Sequence, residues 1–274
     1  MPIVSGCSSV RLAYNNGSQL LWWWVDGYFD FNREQERTLR PAIDQLFEWH
    51  RSTQLAELIP LLANAQSQVL SPITPASACR LQDQVRDKLD ATLERTLALA
   101  ADVVPILTEP QFKHLEKRYA KSIAEMREDF LQPDPAVRQR ESVKRAIERA
   151  ERLYGSLDAA QKRVISAGIA ASPFDPELWL AERLRRQRET LQVLRRLAVE
   201  KPDREQRQAA LRQLITKLEN SPDADYRAYQ QRLGEFNCAF ASHIHNATTP
   251  AQRRHGREIL KGWEDDLRSL IGPA

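Results

Sequence analysis

The sequence predicts an all-α protein of roughly eight to ten amphipathic helices in an elongated bundle with short connections. Three observations carry this. Glycine occurs 9 times in 274 residues, about half its usual share, so few positions favour the left-handed conformations that tight strand connections need. From Gln19 onward apolar residues recur at spacings of three and four, the period of one helix face. No alternating run ends in a hairpin dipeptide, and Asn16-Gly17 has no alternating flanks.

The elements follow from the breakers that separate them. A first helix runs from Gln19 to a break near Asn32, and its Leu20–Phe31 segment holds Trp22, Trp23, Trp24, Tyr28, Phe29 and Phe31. Three consecutive tryptophans wrap around most of a helix. They either pack between several neighbours in the core or leave one outward, where it suits a membrane interface. Helical pattern then continues to Ser71-Pro72-Ile73-Thr74-Pro75 and on to a break at Asp102–Leu107. The clearest helix spans Thr108 to about Phe130, with Phe112, Leu115, Tyr119, Ile123, Met126 and Phe130 in one narrow stripe. Further breaks fall at Gln132-Pro133-Asp134, Tyr154–Leu157, Ser172-Pro173, Lys201-Pro202 and Ser221-Pro222. Residues 1–17 are expected to form an N-terminal tether. Residues 18–274 form the helical domain, divisible into packing subunits 18–104 and 107–274.

Several helices open with the same device. In Thr108-Glu109-Pro110-Gln111 the threonine caps the first turn and the glutamine returns to the threonine amide, a capping box, with Leu107 and Phe112 as its hydrophobic staple. Asp158-Ala159-Ala160-Gln161 after Leu157, Thr249-Pro250-Ala251-Gln252 and the looser Asn32-Arg33-Glu34-Gln35 repeat it. Leu107-Thr108-Glu109-Pro110-Gln111 resembles the Leu-Thr-x-x-Gln motif of the Spy/CpxP periplasmic chaperones, and Leu157-Asp158-Ala159-Ala160-Gln161 is a variant of it. The resemblance covers two helical segments and implies a curved all-helical surface for unfolded clients. The 50-residue spacing of the two copies (158 − 108) suits one helix-turn-helix unit between them. A capping box also starts any helix well, without further function.

The amino terminus speaks to location. Val4-Ser5-Gly6-Cys7, followed by Ser8 and Ser9, resembles the lipobox of bacterial lipoproteins. Cys7 with Tyr14-Asn15, Leu20-Leu21-Trp22-Trp23, Asp26, Tyr28 and then Trp49-His50-Arg51 resembles the start of a family of uncharacterised proteobacterial lipoproteins. That resemblance implies lipid on Cys7 and, with serine following it, sorting to the periplasmic face of the outer membrane. Met1-Pro2-Ile3 supplies neither a basic nor an apolar signal region, so the export signal is expected upstream. On the other reading Cys7 is an ordinary thiol in a cytosolic terminus. With Cys7 lipidated, Cys79 and Cys238 remain in a compartment that permits disulfides, either bridged or as two buried thiols.

Chemistry is thinly represented. Lysine and arginine number 40 against 37 acids, too even a balance to single out nucleic acid. No Gly-rich phosphate loop, nucleophile elbow or Cys-x-x-Cys pair occurs. His50, His114, His243, His245 and His255 include no i, i+4 pair of the kind that binds metal on a helix. No catalytic residue, metal or cofactor is expected. The helix Trp179–Leu197 carries Arg183, Arg185, Arg186, Arg188, Arg195 and Arg196 largely off its leucine stripe, either a solvated face balanced by acids or an anion-binding face centred on Arg185, Arg186 and Arg188. Two functions follow. The first is an outer-membrane lipoprotein acting as a non-enzymatic, chaperone-like module for unfolded or envelope proteins. The second is a cytosolic protein binding RNA or an anionic surface through the arginine face.

Overall fold

The computed structural model describes residues 9–272. Among them are thirteen α-helices and no strand: α1 (Ser9–Asn15), α2 (Gly17–Phe29), α3 (Arg33–Trp49), α4 (Leu55–Gln68), α5 (Pro75–Asp87), α6 (Asp90–Val103), α7 (Glu109–Phe130), α8 (Pro135–Tyr154), α9 (Ala159–Ala170), α10 (Pro176–Glu200), α11 (Arg204–Glu219), α12 (Ala224–Asn246) and α13 (Pro250–Ile271). Their number exceeds the expected range because three interruptions carry little sequence signal. Asn16 separates α1 from α2 without capping α2, its Nδ2 donating back to Leu12 O at 2.8 Å. Lys88 and Leu89 separate α5 from α6 with both residues near helical backbone. The His50–Gln54 segment is a π-turn that carries α3 into α4.

The breakers expected from the sequence do end helices, each for a local reason. Pro75, Pro110, Pro135, Pro176 and Pro250 stand in first turns, where the missing N–H costs nothing. Gly155 ends α8 at φ 74°, a conformation that an L side chain resists.

The later helices fold back along the earlier ones. α13 packs on α4, α12 on α5 and α11 on α6, so the segments on either side of residue 105 share long interfaces. The largest core cluster joins α6, α7, α10 and α11 through Leu97, Ala101, Phe112, Leu115, Leu197 and Leu211. Leu107 is buried in the same cluster as Phe112. Smaller clusters follow along the bundle: Trp22 with Leu39 and Ile43, Ile123 with Met126 and Leu180, and Ala150 with Leu157 and Ile165. The accessible surface is 16627 Å², against roughly 12,000 Å² for a close-packed chain of this mass. Open clefts between the helices contribute to this excess.

Candidate functional site

The glutamines of the capping boxes do more than close a helix end. Gln35 and Gln111 are buried and face each other: Gln35 Nε2 donates to Gln111 Oε1 at 3.1 Å, and Gln111 Nε2 donates to Gln35 Oε1 at 2.8 Å. Each Oε1 also accepts from its own cap, Asn32 N at 3.1 Å and Thr108 N at 3.0 Å. Each Nε2 also donates to the carbonyl two residues before the other cap, Ile106 O at 2.7 Å and Asp30 O at 3.4 Å. The second pair repeats this atom for atom. Gln161 Nε2 donates to Gln252 Oε1 at 2.7 Å and to Ala247 O at 3.0 Å. Gln252 Nε2 donates to Gln161 Oε1 at 3.0 Å and to Ser156 O at 2.9 Å. The caps Asp158 N and Thr249 N complete it at 3.0 and 2.9 Å. Every donor and acceptor site of each amide is used.

The partners are not the pair that sequence spacing singled out. Thr108-Gln111 meets Asn32-Gln35, 76 residues away, and Asp158-Gln161 meets Thr249-Gln252, 91 residues away. The two motifs that resemble Leu-Thr-x-x-Gln therefore sit in different junctions, α3 with α7 and α9 with α13. The Thr108 box also departs in detail: its hydroxyl hydrogen-bonds Gln111 Oε1 at 3.1 Å. A further box at Asp203 and Gln206 opens α11, with both bonds inside the box.

Cys7 lies outside the described residues. Cys79 on α5 and Cys238 on α12 are joined as a disulfide, Cα–Cα 5.3 Å, closing a separation of 159 residues. Of the three tryptophans, Trp22 is buried at 5% while Trp23 and Trp24 are 60% and 62% exposed. Leu20, 46% exposed, lies three and four residues before Trp23 and Trp24 on the same face of α2, and Leu12 on α1 is 60% exposed.

The residues that carry the lipoprotein resemblance clasp one another. Tyr14 Oη is 2.8 Å from His50 Nδ1, and Arg51 donates to Asn15 Oδ1 at 2.8 Å while lying over the Tyr14 ring. Arg95 lies over Trp49. Asp26 accepts from Phe31 N at 2.9 Å and holds the turn leading to Asn32. A second Tyr–His pair stands at the other junction. Tyr154 Oη is 2.9 Å from His245 Nδ1, and His245 Nε2 is 2.8 Å from Ser71 O. The carbonyl requires Nε2 to donate, so in the neutral ring Nδ1 accepts from the Tyr154 hydroxyl. Burial lowers the His245 pKa below that of an ordinary histidine, Arg253 adds to this, and the Ser71 bond opposes it. His50 is lowered by burial too. A depressed histidine pKa gives stability that is complete above about pH 6.5 and is lost as the pH falls. Melting temperature is therefore expected to drop between pH 7.5 and 5.5, and His245→Gln, which keeps a donor for Ser71 O, shrinks that step. A flat profile through this range contradicts the assignment.

The arginine face is only partly an open cationic surface. Glu182 is buried beneath Arg185 and Arg186, with contacts of 2.7 and 2.9 Å, and accepts from Ser221 Oγ at 3.2 Å. Burial pushes the Glu182 carboxyl up, but the bonds from Arg185 and Arg186 more than reverse this and hold it below the ordinary range. Arg185 also pairs with Glu189, and Arg195 bridges Glu109 and Glu116 of α7 at 2.9 and 3.0 Å. Of the trio offered by the sequence, Arg185 and Arg186 are held by a buried carboxylate, in keeping with the acid-balanced alternative, and Arg188 is exposed.

Open grooves also run between the helices, and two of them concern the arginines. One, of about 640 Å³ between α7 and α10, is lined by Tyr119, Ile123, Leu184 and Leu191 with Glu116, Arg127 and Arg188. The larger, about 760 Å³, lies between α8, the end of α9, the start of α10 and α12. Its apolar walls include Phe130, Phe174, Phe240 and Ile244, and its charged side chains are Arg138, Arg145 and Arg149, with no carboxylate. These arginines were missed in the sequence, although positions 138, 142, 145 and 149 share one helical stripe. Among the described residues no group of three or more His, Cys, Asp or Glu side chains is placed to hold a metal ion, and no helix is long and apolar enough to cross a membrane.

A family model described as a family of unknown function, DUF6279, matches residues 27–227. The chain belongs to the DUF6279 family. The match contains the first glutamine pair, Glu182 with Arg185 and Arg186, and all of α8–α11, while Tyr14, Asn15, Cys238 and the Thr249-Gln252 box fall outside it. No curated protein and no solved structure matches the chain.

Proposed function

We propose that this DUF6279 protein is a non-enzymatic binding module with chaperone-like capacity for envelope proteins, tethered by lipid on Cys7 to the periplasmic face of the outer membrane. Its main support is the exposed face of Leu20, Trp23 and Trp24 on α2, soon after Cys7 in the sequence. Contiguous exposed apolar side chains mark a contact with a membrane or another protein, and tryptophan suits the headgroup level of a bilayer. Two or three acyl chains on Cys7 would anchor the chain stably by themselves, and exposed tryptophans on the helix that follows suit the interface next to such an anchor. The groove between α7 and α10, with apolar walls and charges of both signs at its rim, offers a surface for a client segment. The cytosolic anion-binding reading loses its best site, because Glu182 occupies Arg185 and Arg186.

Full-length Cys7→Ser protein, which takes no lipid, is expected to slow aggregation of chemically unfolded envelope proteins at near-stoichiometric ratios. Absence of protection across several clients removes the chaperone-like role and leaves a structural or adaptor lipoprotein.

A further inference from the structure

We propose that the cleft between α8 and α12 is a binding site for a single-chain anionic amphiphile, with its head at Arg145 and Arg149 and its tail along the aromatic wall. This goes beyond the membrane-tethered reading and does not depend on it.

The charge distribution points to an anion. Arg138, Arg145 and Arg149 line the cleft and no carboxylate does. Several arginines of this protein are met by acids, as Arg185, Arg186, Arg195, Arg204 and Arg212 are, and others, such as Arg207, Arg227 and Arg253, bond carbonyls or a hydroxyl; the cleft is distinguished by gathering three arginines in one lining without a carboxylate. In the cleft the guanidiniums find only neutral acceptors. Arg138 donates to Gln132 O at 3.0 Å, and Arg145 donates to Asp129 O at 3.3 Å and to Ser142 Oγ at 3.1 Å. Arg149 is exposed and has no ion-pair partner among the described residues. The positive charge is therefore positioned but not neutralised. Arg145 and Arg149 are one helical turn apart, with Cβ atoms about 6 Å from each other, so both can reach one carboxylate or phosphate head.

The walls point to an apolar tail. The Arg145 guanidinium lies 4.5 Å over the Phe130 ring, which leads into a cluster with Phe174 and Trp179 at centroid distances of 5.1 to 6.4 Å. The opposite wall carries Phe240 and Ile244, and Ala146, Ala170 and Ala241 keep the space between them open. Gly168 lets α9 close on Phe240: a Cβ there would stand 2.1 Å from the ring, which fixes that wall in place. The volume, about 760 Å³, is that of a small-ligand site. Cations beside a run of aromatic and aliphatic side chains describe an amphiphile rather than a sugar or a nucleotide.

Calorimetric titration of the Cys7→Ser protein below the critical micelle concentration tests this, with dodecanoate, dodecyl phosphate and neutral dodecyl maltoside as probes. One anionic amphiphile is expected per chain, at least tenfold tighter than the maltoside. Arg149→Glu, an exposed position without partners, is expected to weaken the anionic probes at least tenfold. Ala241→Trp blocks the tail space and does the same without altering charge. Tighter dodecanoate identifies a free fatty acid as the source, and tighter dodecyl phosphate a phosphate-headed lysolipid. Equal affinity for the neutral probe, indifference to both variants while the helical circular dichroism is unchanged, or no binding at all overturns the proposal. Client protection without amphiphile binding overturns it too, and leaves the chaperone-like reading standing.

Discussion

Opening the Cys79–Cys238 disulfide is expected to lower the stability of this protein by about 5 kcal/mol, the largest single effect in the molecule. The bond closes a separation of 159 residues, and the chain-entropy cost removed from the unfolded state grows with the logarithm of that length. It ties α5 to α12, two helices that also pack on each other, so the native state already holds the cysteines close. Cys238→Ala, or reduction with dithiothreitol, should lower the melting temperature by roughly 10 to 20 °C, given about 2–4 °C per kcal/mol for a chain of this size. The Cys7→Ser protein should match the wild type in the same scan. A melting temperature insensitive to reductant would show that the two thiols are not bridged in the protein as purified. Buried thiols would then fill those positions as small apolar groups.

The paired glutamines give the second large effect and a sharper pattern. Gln111→Ala strips the partner from Gln35, from Asp30 O and from the Thr108 amide. Buried polar groups left unpaired cost about 1–3 kcal/mol each, and a lost cap costs about 1 kcal/mol. Some of these groups regain water at the exposed cap, so a loss of roughly 3 kcal/mol is expected in urea unfolding. The double variant Gln35→Ala/Gln111→Ala should fall short of the sum of the singles by about 1–3 kcal/mol, because both lose the same bonds. Gln161→Ala/Gln252→Ala should behave alike. Gln111→Ala/Gln161→Ala should be additive, since those residues belong to different junctions. Coupling between Gln111 and Gln161, with none inside the structural pairs, would contradict the arrangement.

These two features mark where sequence reading stops. Helix starts at Thr108, Asp158 and Thr249 were legible because a capping box is written in four consecutive residues, and prolines in first turns are as local. The division of α5 from α6 was not, since Lys88 and Leu89 keep near-helical backbone and carry no breaker. The pairing of boxes was not legible either. Asn32 looked like the loosest copy, yet its Gln35 is the partner of Gln111, and nothing local to either motif encodes a contact 76 residues away. Glu182 lies three and four residues before Arg185 and Arg186, a spacing that allows the ion pairs. What buries the carboxylate is Ser221, in the turn between α11 and α12, which only the fold brings there. The arginine stripe on α8 could be counted in the sequence, but its cleft needs α12 as the facing wall. Tyr14-Asn15 and Trp49-His50-Arg51 entered as a resemblance and leave as a contact, two hydrogen-bonded pairs joining the end of α1 to the π-turn.

The exposed tryptophans connect these elements to the proposed location. Trp22 stacks on Phe31 beneath Arg40 and anchors α2 to α3, which leaves Trp23 and Trp24 no place in the same core face. Their exposure follows from helix geometry, and the proposed lipid on Cys7 would give it a purpose.

Intact mass of the N-terminal peptide, from protein expressed with its native upstream sequence and extracted from membranes, tests that claim most directly. A peptide beginning at a diacylated or triacylated Cys7 is the predicted result. An unmodified peptide that retains Met1 or Pro2 would contradict the lipid tether and, with it, the envelope location of this DUF6279 protein.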